Sequence, residues 1–468
     1  MPPAARPMAR FALLLSLWGI FVSNVTLTIL IIALPVIAKD LPGHLGLTNW
    51  VGLAPLLAVS AITPLAGRAT DRYGAKRLWL VGFTLTLIGI GSSALAPTLP
   101  WLIAARFVTG VGSALFVPAA LAITSSLYPP DERATPIGYW TSAVAISPLL
   151  GVLVGGYLTE LLGWRMLFVA QLAIGVPALL AGFALPPSPA TPPEPFDWEG
   201  SLSGALAATG LLSFATLLGS ESLRSAPLAL AALTTVAASY WLYRAEQRVE
   251  RPVFPPALLG MTVVRRALYA RAAMSFTYMG GFMTLPYLLT TLWGLTPSGV
   301  ALTLSFRPLA MGLVGPLAGK LTQRFGAAAL TIVGSWLILI STAAFVLLGG
   351  APNYAVLIFG LVVAGVGLGI GSPGSVACVT VRVGAEQLGT VSGLMTLSAT
   401  LANALGMAGL MAVVEAHGGV HSENAYRLSN LVGTAVAGLG LVAAYGLRRS
   451  ERSEQAGTRT AEPTAGMW

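Results

Sequence analysis

The sequence is short of charge. Asp, Glu, Lys and Arg make up 9% of its 468 residues, against about 25% in an ordinary soluble domain. With 55% hydrophobic residues and a mean hydropathy of +0.79, the chain cannot cover a water-facing surface, and lipid must be its main solvent. Cysteine is nearly missing: Cys378 stands alone inside an apolar run, which excludes an intrachain disulfide and a thiolate metal cluster and leaves it as a packing residue. Lysine occurs only as Lys39, Lys76 and Lys320, so the net charge of +9 is almost all arginine. These charges sit in short loops between apolar runs, a pattern that orients a membrane protein rather than one that binds nucleic acid. There is no G-x-x-x-x-G-K-[ST] loop, since Gly319-Lys320 runs into leucine, and ATP-driven transport is disfavoured. No H-E-x-x-H is present, and no soluble catalytic domain has room, so an enzyme is not expected. His417 and His421 lie between Glu415 and Glu423, but the intervening Gly418-Gly419 argues against a rigid helical metal site, and no metal is expected.

What is abundant is membrane-length apolar sequence. A helix needs about 20 such residues to cross the hydrocarbon core, and fourteen runs qualify, at roughly 11–37, 47–67, 78–97, 100–126, 136–159, 165–186, 200–219, 225–243, 268–292, 298–319, 328–349, 353–379, 388–414 and 426–447. The first is too long for a signal peptide and reads on into Pro35. With the N-terminus inside, the inner segments hold nineteen basic residues, and the outer segments hold only Lys39, Arg165, Arg224 and Arg427. By the positive-inside rule both termini are cytoplasmic, and an even number of spans is required. The fold class expected is an all-α integral membrane protein of a cell membrane.

The chain also repeats itself. Pro64 to Leu78 reads PLAGRATDRYGAKRL, and Pro316 to Leu330 reads PLAGKLTQRFGAAAL. Gly110-Val111-Gly112 with Pro118 matches Gly365-Val366-Gly367 with Pro373. The offsets, 252 and 255 residues, exceed a six-helix unit by two helices. A Pro-rich linker, PPSPATPPEPFDWEG, announces the insertion. The organisation expected is therefore 6 + 2 + 6: a bundle over 1–186, a linker with two inserted helices over 187–250, a second bundle over 251–447 and a disordered tail over 448–468. Parallel repeats of this kind build transporters that rock about a midplane site.

These residues resemble the major facilitator superfamily, and within it the fourteen-helix drug:proton antiporters, over nearly the whole chain. Gly67, Asp71, Arg72, Gly74 and Lys76 stand in the pattern of the superfamily's loop between its second and third helices. Glycine permits the tight turn, and the aspartate is suited to latch onto a helix N-terminus in the other half. Arg106-Phe107-Val108-Thr109-Gly110-Val111-Gly112 is similar to the antiporters' fourth-helix motif, with Thr109 in place of glutamine. The resemblance implies that Arg106 modulates proton transfer, the alternative being an arginine that snorkels to the interface. Ser147-Pro148 with Gly151 and Gly155-Gly156 resembles the fifth-helix antiporter motif. Its four-residue spacing lays a small-residue face along one helix, which serves close packing whether or not the motif is functional. Gly163-Trp164-Arg165 with Gln171 and Gly175, and Phe196-Asp197-Trp198, extend the likeness. Arg307 sits where the family often carries an arginine, placed to bind an anionic group, to set cavity charge or to pair with a carbonyl.

Two family features are missing. Thr26 occupies the position where the family often has a first-helix aspartate, and no Asp or Glu lies at mid-depth in any of the fourteen runs. With Arg106 and Arg307 making the cavity positive, the expectation is a neutral or anionic amphipathic substrate. Asn24, Thr26, Tyr278, Arg307 and Asn403 are the candidate cavity residues, each able instead to serve packing. The function expected is proton-coupled efflux of drug-like molecules by alternating access, with no cofactor, a small-molecule substrate, the lipid bilayer as surroundings and a monomeric working unit. Export of a single metabolite, or a non-transporting receptor or scaffold, are the alternatives.

Overall fold

The computed structural model describes residues 6–41, 43, 45–127, 134–186, 198–217, 226–248, 256–380 and 388–460. Fifteen α-helices run through them: α1 (Arg6–Asp40), α2 (Leu45–Tyr73), α3 (Ala75–Ala94), α4 (Leu99–Ser126), α5 (Ala134–Leu162), α6 (Arg165–Gly182), α7 (Trp198–Leu217), α8 (Ala226–Glu246), α9 (Pro256–Gly260), α10 (Thr262–Thr291), α11 (Pro297–Phe325), α12 (Ala327–Val346), α13 (Tyr354–Thr380), α14 (Leu388–Ala416) and α15 (Glu423–Thr460). Apart from the five-residue α9, each corresponds to one apolar run of the sequence. Helices dominate because lipid offers the backbone no hydrogen-bond partner, so each span must satisfy its own amides.

Ten helices are long and apolar enough to span a bilayer, and shorter apolar stretches lie at Leu47–Thr63, Ile146–Leu162 and Leu202–Leu217 within α2, α5 and α7. The remaining long helix, α10, carries Arg265, Arg266 and Arg271. It tolerates lower hydropathy because it is packed on α13, α14 and α15 and is buried almost continuously from Thr277 to Leu289. Arg448 to Thr460, expected to begin a disordered tail, continues α15 as helix. Its Arg, Glu and Gln residues favour helix, and it extends a helix that is already nucleated.

The repeat is visible in the packing. In α1–α6 the pairs α1–α5, α2–α4, α3–α4 and α3–α6 lie together; in α10–α15 the equivalent pairs are α10–α14, α11–α13, α12–α13 and α12–α15. Glycines set both copies. A Cβ on Gly82 would lie 2.8 Å from the Gly112 carbonyl oxygen, and one on Gly334 would lie 2.6 Å from the Gly367 carbonyl oxygen. Gly110 presses on the backbone of Pro55 in α2, and Gly365 on the backbone of Arg307 in α11. The α2–α3 and α11–α12 turns use Gly74 and Gly326, both at φ 87°, a conformation that strains any residue with a Cβ. We call the side of the molecule with these turns the turn face and the opposite side the far face. The inserted α7 and α8 pack on each other, and α7 rests against α2 and α14.

Candidate functional site

The two six-helix groups meet through α5 with α11 and α2 with α14, pairs that the repeat makes equivalent. At the far face both seams are closed. A Cβ on Gly156 of α5 would lie 2.2 Å from Ala301 Cβ and 2.6 Å from the Pro297 carbonyl oxygen of α11. Gly156, which follows Gly155 in the sequence motif, thus packs between the halves. Beside it, Glu160 Oε2 accepts from the Ser298 amide at 2.9 Å, at the N-terminus of α11 where unpaired amides favour an anion. On the other seam Glu415 Oε1 accepts from Asn49 Nδ2 at 2.9 Å, and Gly52 faces the Met407 methyl. Glu160 and Glu415 are 255 residues apart, the offset of the α4–α13 match, so the two halves contribute equivalent carboxylates to the same closure.

Toward the turn face the described contacts between α5 and α11 thin out. Ala301, Gly312, Gly315 and Gly319 fall on one stripe of α11 by their helical spacing. Ala301 is fully buried, whereas a Cβ at Gly312, Gly315 or Gly319 would meet nothing within 4 Å among the described residues. The stripe that seals against α5 at the far face therefore has no close neighbour among the described residues further down, toward the turn face.

Three arginines sit within the spans. Arg106 is fully buried, and its Nε donates to the Val51 carbonyl oxygen of α2 at 3.4 Å, so it lies inside the protein and does not snorkel to lipid. Arg307 is 1% exposed. Its guanidinium lies over the Tyr278 ring at 3.7 Å and within 5.7 Å of Phe282, two rings stacked at 6.2 Å. Its Nε and Nη1 have no hydrogen-bond partner among the described residues. Arg271, passed over by the sequence reading although it falls in the ninth run, is half-buried in α10 and donates to the carbonyl oxygens of Met395 at 3.1 Å and Ser372 at 3.2 Å. An arginine inside an apolar run was the signal that could have singled it out.

The other candidates divide. Asn24 is half-buried and donates to the Ile20 carbonyl oxygen of its own helix at 3.1 Å, while its neighbour Ser23 bonds Ser113 of α4 at 2.9 Å. Tyr278 is buried and joins Arg307, and Asn403 is half-buried on α14. Ser147 is buried and donates to the Ala143 carbonyl oxygen; Pro148 is half-buried, and Gly151 and Gly155 are buried. The surroundings of Thr26, Gly67 and Asp71 fall outside the described residues. Arg72 is exposed, and Lys76 donates to the carbonyl oxygens of Phe183 and Leu185. It thereby caps the C-terminal end of α6, where a cation meets the negative end of the helix dipole. The acidic side chains at the last far-face loop are separately engaged, Glu415 on Asn49 and Glu423 on the Gly350 amide at 2.8 Å, and His417 Nδ1 lies 3.0 Å from the Val413 carbonyl oxygen of its own helix.

A second far-face clasp lies at the end of α1. Asp40 Oδ2 accepts from Trp164 Nε1 at 2.8 Å and Arg165 Nη1 at 2.6 Å, and Arg165 Nη2 donates to the Ala96 carbonyl oxygen at 3.1 Å. The Trp164 and then the Arg165 hydrogen bond hold the Asp40 carboxyl below the usual carboxylate range. A group depressed in the folded state stabilises fully above its unfolded pKa, about 3.9, and loses that contribution as pH falls through the folded value. The clasp is half exposed to solvent, so its effect is small. Asp40→Asn is expected to melt slightly lower than wild type at pH 7, with the gap closing below about pH 4. Equal melting temperatures at pH 7 would remove the clasp from the account.

The sequence matches the family model of the Major Facilitator Superfamily over residues 16–407, with a second match over 267–466. It is 27% identical over 394 residues to the riboflavin transporter RibZ of Clostridioides difficile (strain 630), covering 83% of this chain and 85% of that protein. It is 29% identical over 403 residues to the tetracenomycin C resistance and export protein of Streptomyces glaucescens, covering 83% and 73%. Its fold is similar to the crystal structure of a POT family transporter in complex with 5-aminolevulinic acid, with a TM-score of 0.69 at 16% identity over 94% of this chain and 96% of that one. The repeated six-helix packing and the match across nearly the whole sequence lead to one conclusion: this multi-pass membrane protein belongs to the Major Facilitator Superfamily and is a transporter, not an enzyme.

Proposed function

We propose that the chain exports amphipathic small molecules by alternating access in exchange for protons, working as a monomer without a cofactor. The observation that carries this reading is the seam between the halves, held at the far face by Gly156–Ala301, Glu160–Ser298 and Glu415–Asn49, while the Gly312–Gly315–Gly319 stripe of α11 has no close neighbour among the described residues. Rocking the bundles 1–186 and 251–447 about this seam closes one end as the other opens. The excess of Arg and Lys on the turn-face segments supports a cytoplasmic turn face with both termini inside. That orientation supports an inward-facing state, which would load cargo from the cell interior. The buried guanidinium of Arg307 against Tyr278 and Phe282 favours neutral or anionic aromatic cargo over cations. A relative named as a resistance and export protein supports efflux. A relative named as a riboflavin transporter supports dedication to one metabolite, the substrate range of the second reading, a single-metabolite exporter.

The test is growth of an efflux-deficient bacterium expressing the chain across a panel of toxic compounds, with Arg106→Ala and Asp71→Asn matched for membrane expression. Resistance to several unrelated compounds, at least fourfold in inhibitory concentration and lost in both variants, is the expected result. Good expression with no resistance to any compound would remove the broad-drug reading and leave the single-metabolite exporter.

A further inference from the structure

A groove runs down the outside of the second bundle between α10, α14 and α15, with a volume of about 770 Å³. Its walls are apolar, including Phe276, Leu405, Val436, Leu439 and Val442, and Leu439 and Val442 are 72% and 71% exposed, so the groove opens sideways into lipid rather than into the seam between the bundles. Its floor is narrow because Gly440 lets α15 lean on Ala273 of α10, where a Cβ would sit 2.4 Å from that methyl. The turn-face end differs in chemistry. Arg266 and Arg449 line it with Tyr269 and Tyr445, and no carboxylate is among the lining residues. Arg266 is fixed across the α10–α15 seam: Gly446 leaves room for its guanidinium, whose Nη1 donates to the Gly446 carbonyl oxygen at 2.7 Å. From Val436 to Arg449 the groove follows α15 for about 20 Å at 1.5 Å per residue. That is close to one leaflet, half of the roughly 40–45 Å bilayer including its headgroups.

We propose that this groove is a binding site for one anionic phospholipid, with its phosphate between Arg266 and Arg449 and an acyl chain laid along α10 and α15. The match is in both length and charge. An apolar slot one leaflet deep fits an acyl chain, and two arginines at its interfacial end, with no carboxylate among the lining residues, fit a phosphate whose charge no headgroup cation offsets. The tyrosines at that level suit the amphipathic interface. Assignment to the cytoplasmic leaflet rests on the orientation proposed above, whereas the site itself does not.

The site is tested on the full chain purified in detergent, titrated with dioleoylphosphatidylglycerol or dioleoylphosphatidylcholine and read by native mass spectrometry and thermal melting. Wild type is expected to retain one phosphatidylglycerol with about tenfold or greater preference over phosphatidylcholine, and to melt higher when it is bound. R266Q with R449Q keeps a side-chain donor for the Gly446 carbonyl and should lose the preference. A443W fills the groove while leaving both arginines, and should lose the bound lipid itself. Equal retention of the two lipids by wild type, a preference unchanged in both variants, or displacement of the lipid by millimolar inorganic phosphate would each overturn the proposal. Because the titration is done in micelles, its failure leaves the transport reading and the orientation standing, and failure of the growth panel leaves the lipid site standing.

Discussion

Gly156→Leu is expected to reduce transport to background while the protein still inserts and accumulates in the membrane. A first side-chain carbon at position 156 would stand 2.2 Å from Ala301 Cβ and 2.6 Å from the Pro297 carbonyl oxygen, whereas carbon atoms pack at about 3.5–4.0 Å. One of the opposing atoms is backbone, so the strain cannot be relieved by a rotamer change. The α5–α11 seam must open by roughly 1.5 Å or more at the far face, which also pulls Glu160 off the Ser298 amide. Neither bundle is disturbed internally, because the collision lies between them. The chain's single cysteine is buried, which gives a quiet background for a labelling test. Leu304→Cys places a thiol at a fully buried position one turn below Ala301. Maleimide labelling at this site should be slow in the Leu304→Cys protein and at least tenfold faster when Gly156→Leu is added. Gly312→Leu, on the same stripe but with no close neighbour among the described residues, should leave labelling slow. If Gly156→Leu neither speeds labelling nor lowers transport, the far-face seam is not the closure that transport requires.

Much of this architecture was legible in the sequence, for physical reasons that apply unevenly along the chain. Lipid imposes a length on each span, so all fourteen long helices could be read from apolar runs, and the matched glycines foretold the repeated contacts. Gly110 and Gly365, paired by sequence offset, each press on the helix two before their own. The α9 segment escaped notice because five residues are too few for a periodic signal. The contacts that close the seam were illegible for a different reason: Glu160 and Ser298, or Asn49 and Glu415, are far apart in sequence, and nothing local marks either as a partner. Lys76 shows the limit of a motif. Its pattern is visible, but its bonds to Phe183 and Leu185 depend on where α6 ends. Arg106 shows it again, since snorkelling and burial against Val51 predict the same residue type at the same position.

Arg307→Met is expected to separate stability from activity: transport falls at least tenfold, while the melting temperature holds or rises. A buried, unpaired cation costs several kcal/mol in desolvation. A close guanidinium–aromatic contact such as the one with Tyr278 returns about 2 kcal/mol, and Nε and Nη1 have no hydrogen-bond partner among the described residues. Arg307 therefore burdens the resting fold, and methionine, of similar length and without charge, should fill the space beside Tyr278 and Gly281 at no loss. A residue that weakens the state in which it is seen is explained by a state in which it gains a partner, and the chemistry it lacks is an anion able to accept from two free N–H groups. Arg307→Lys keeps the charge without the planar donors and should remain impaired, whereas Tyr278→Phe keeps the ring and should retain transport. The opposite pattern, a melting temperature lowered by the equivalent of about 3–5 kcal/mol with transport per folded molecule unchanged, would make Arg307 a structural cation and remove the case for anionic cargo. The position of Arg307 sharpens the test. Its own carbonyl is where Gly365 holds α13 against α11, so an anion that draws the guanidinium away from Tyr278 acts on a helix that carries the α5 seam at one end and the open stripe at the other. On the reading proposed above, cargo charge and the closing of the two halves would act through the same helix, and the methionine variant is expected to remove the first while leaving the second intact.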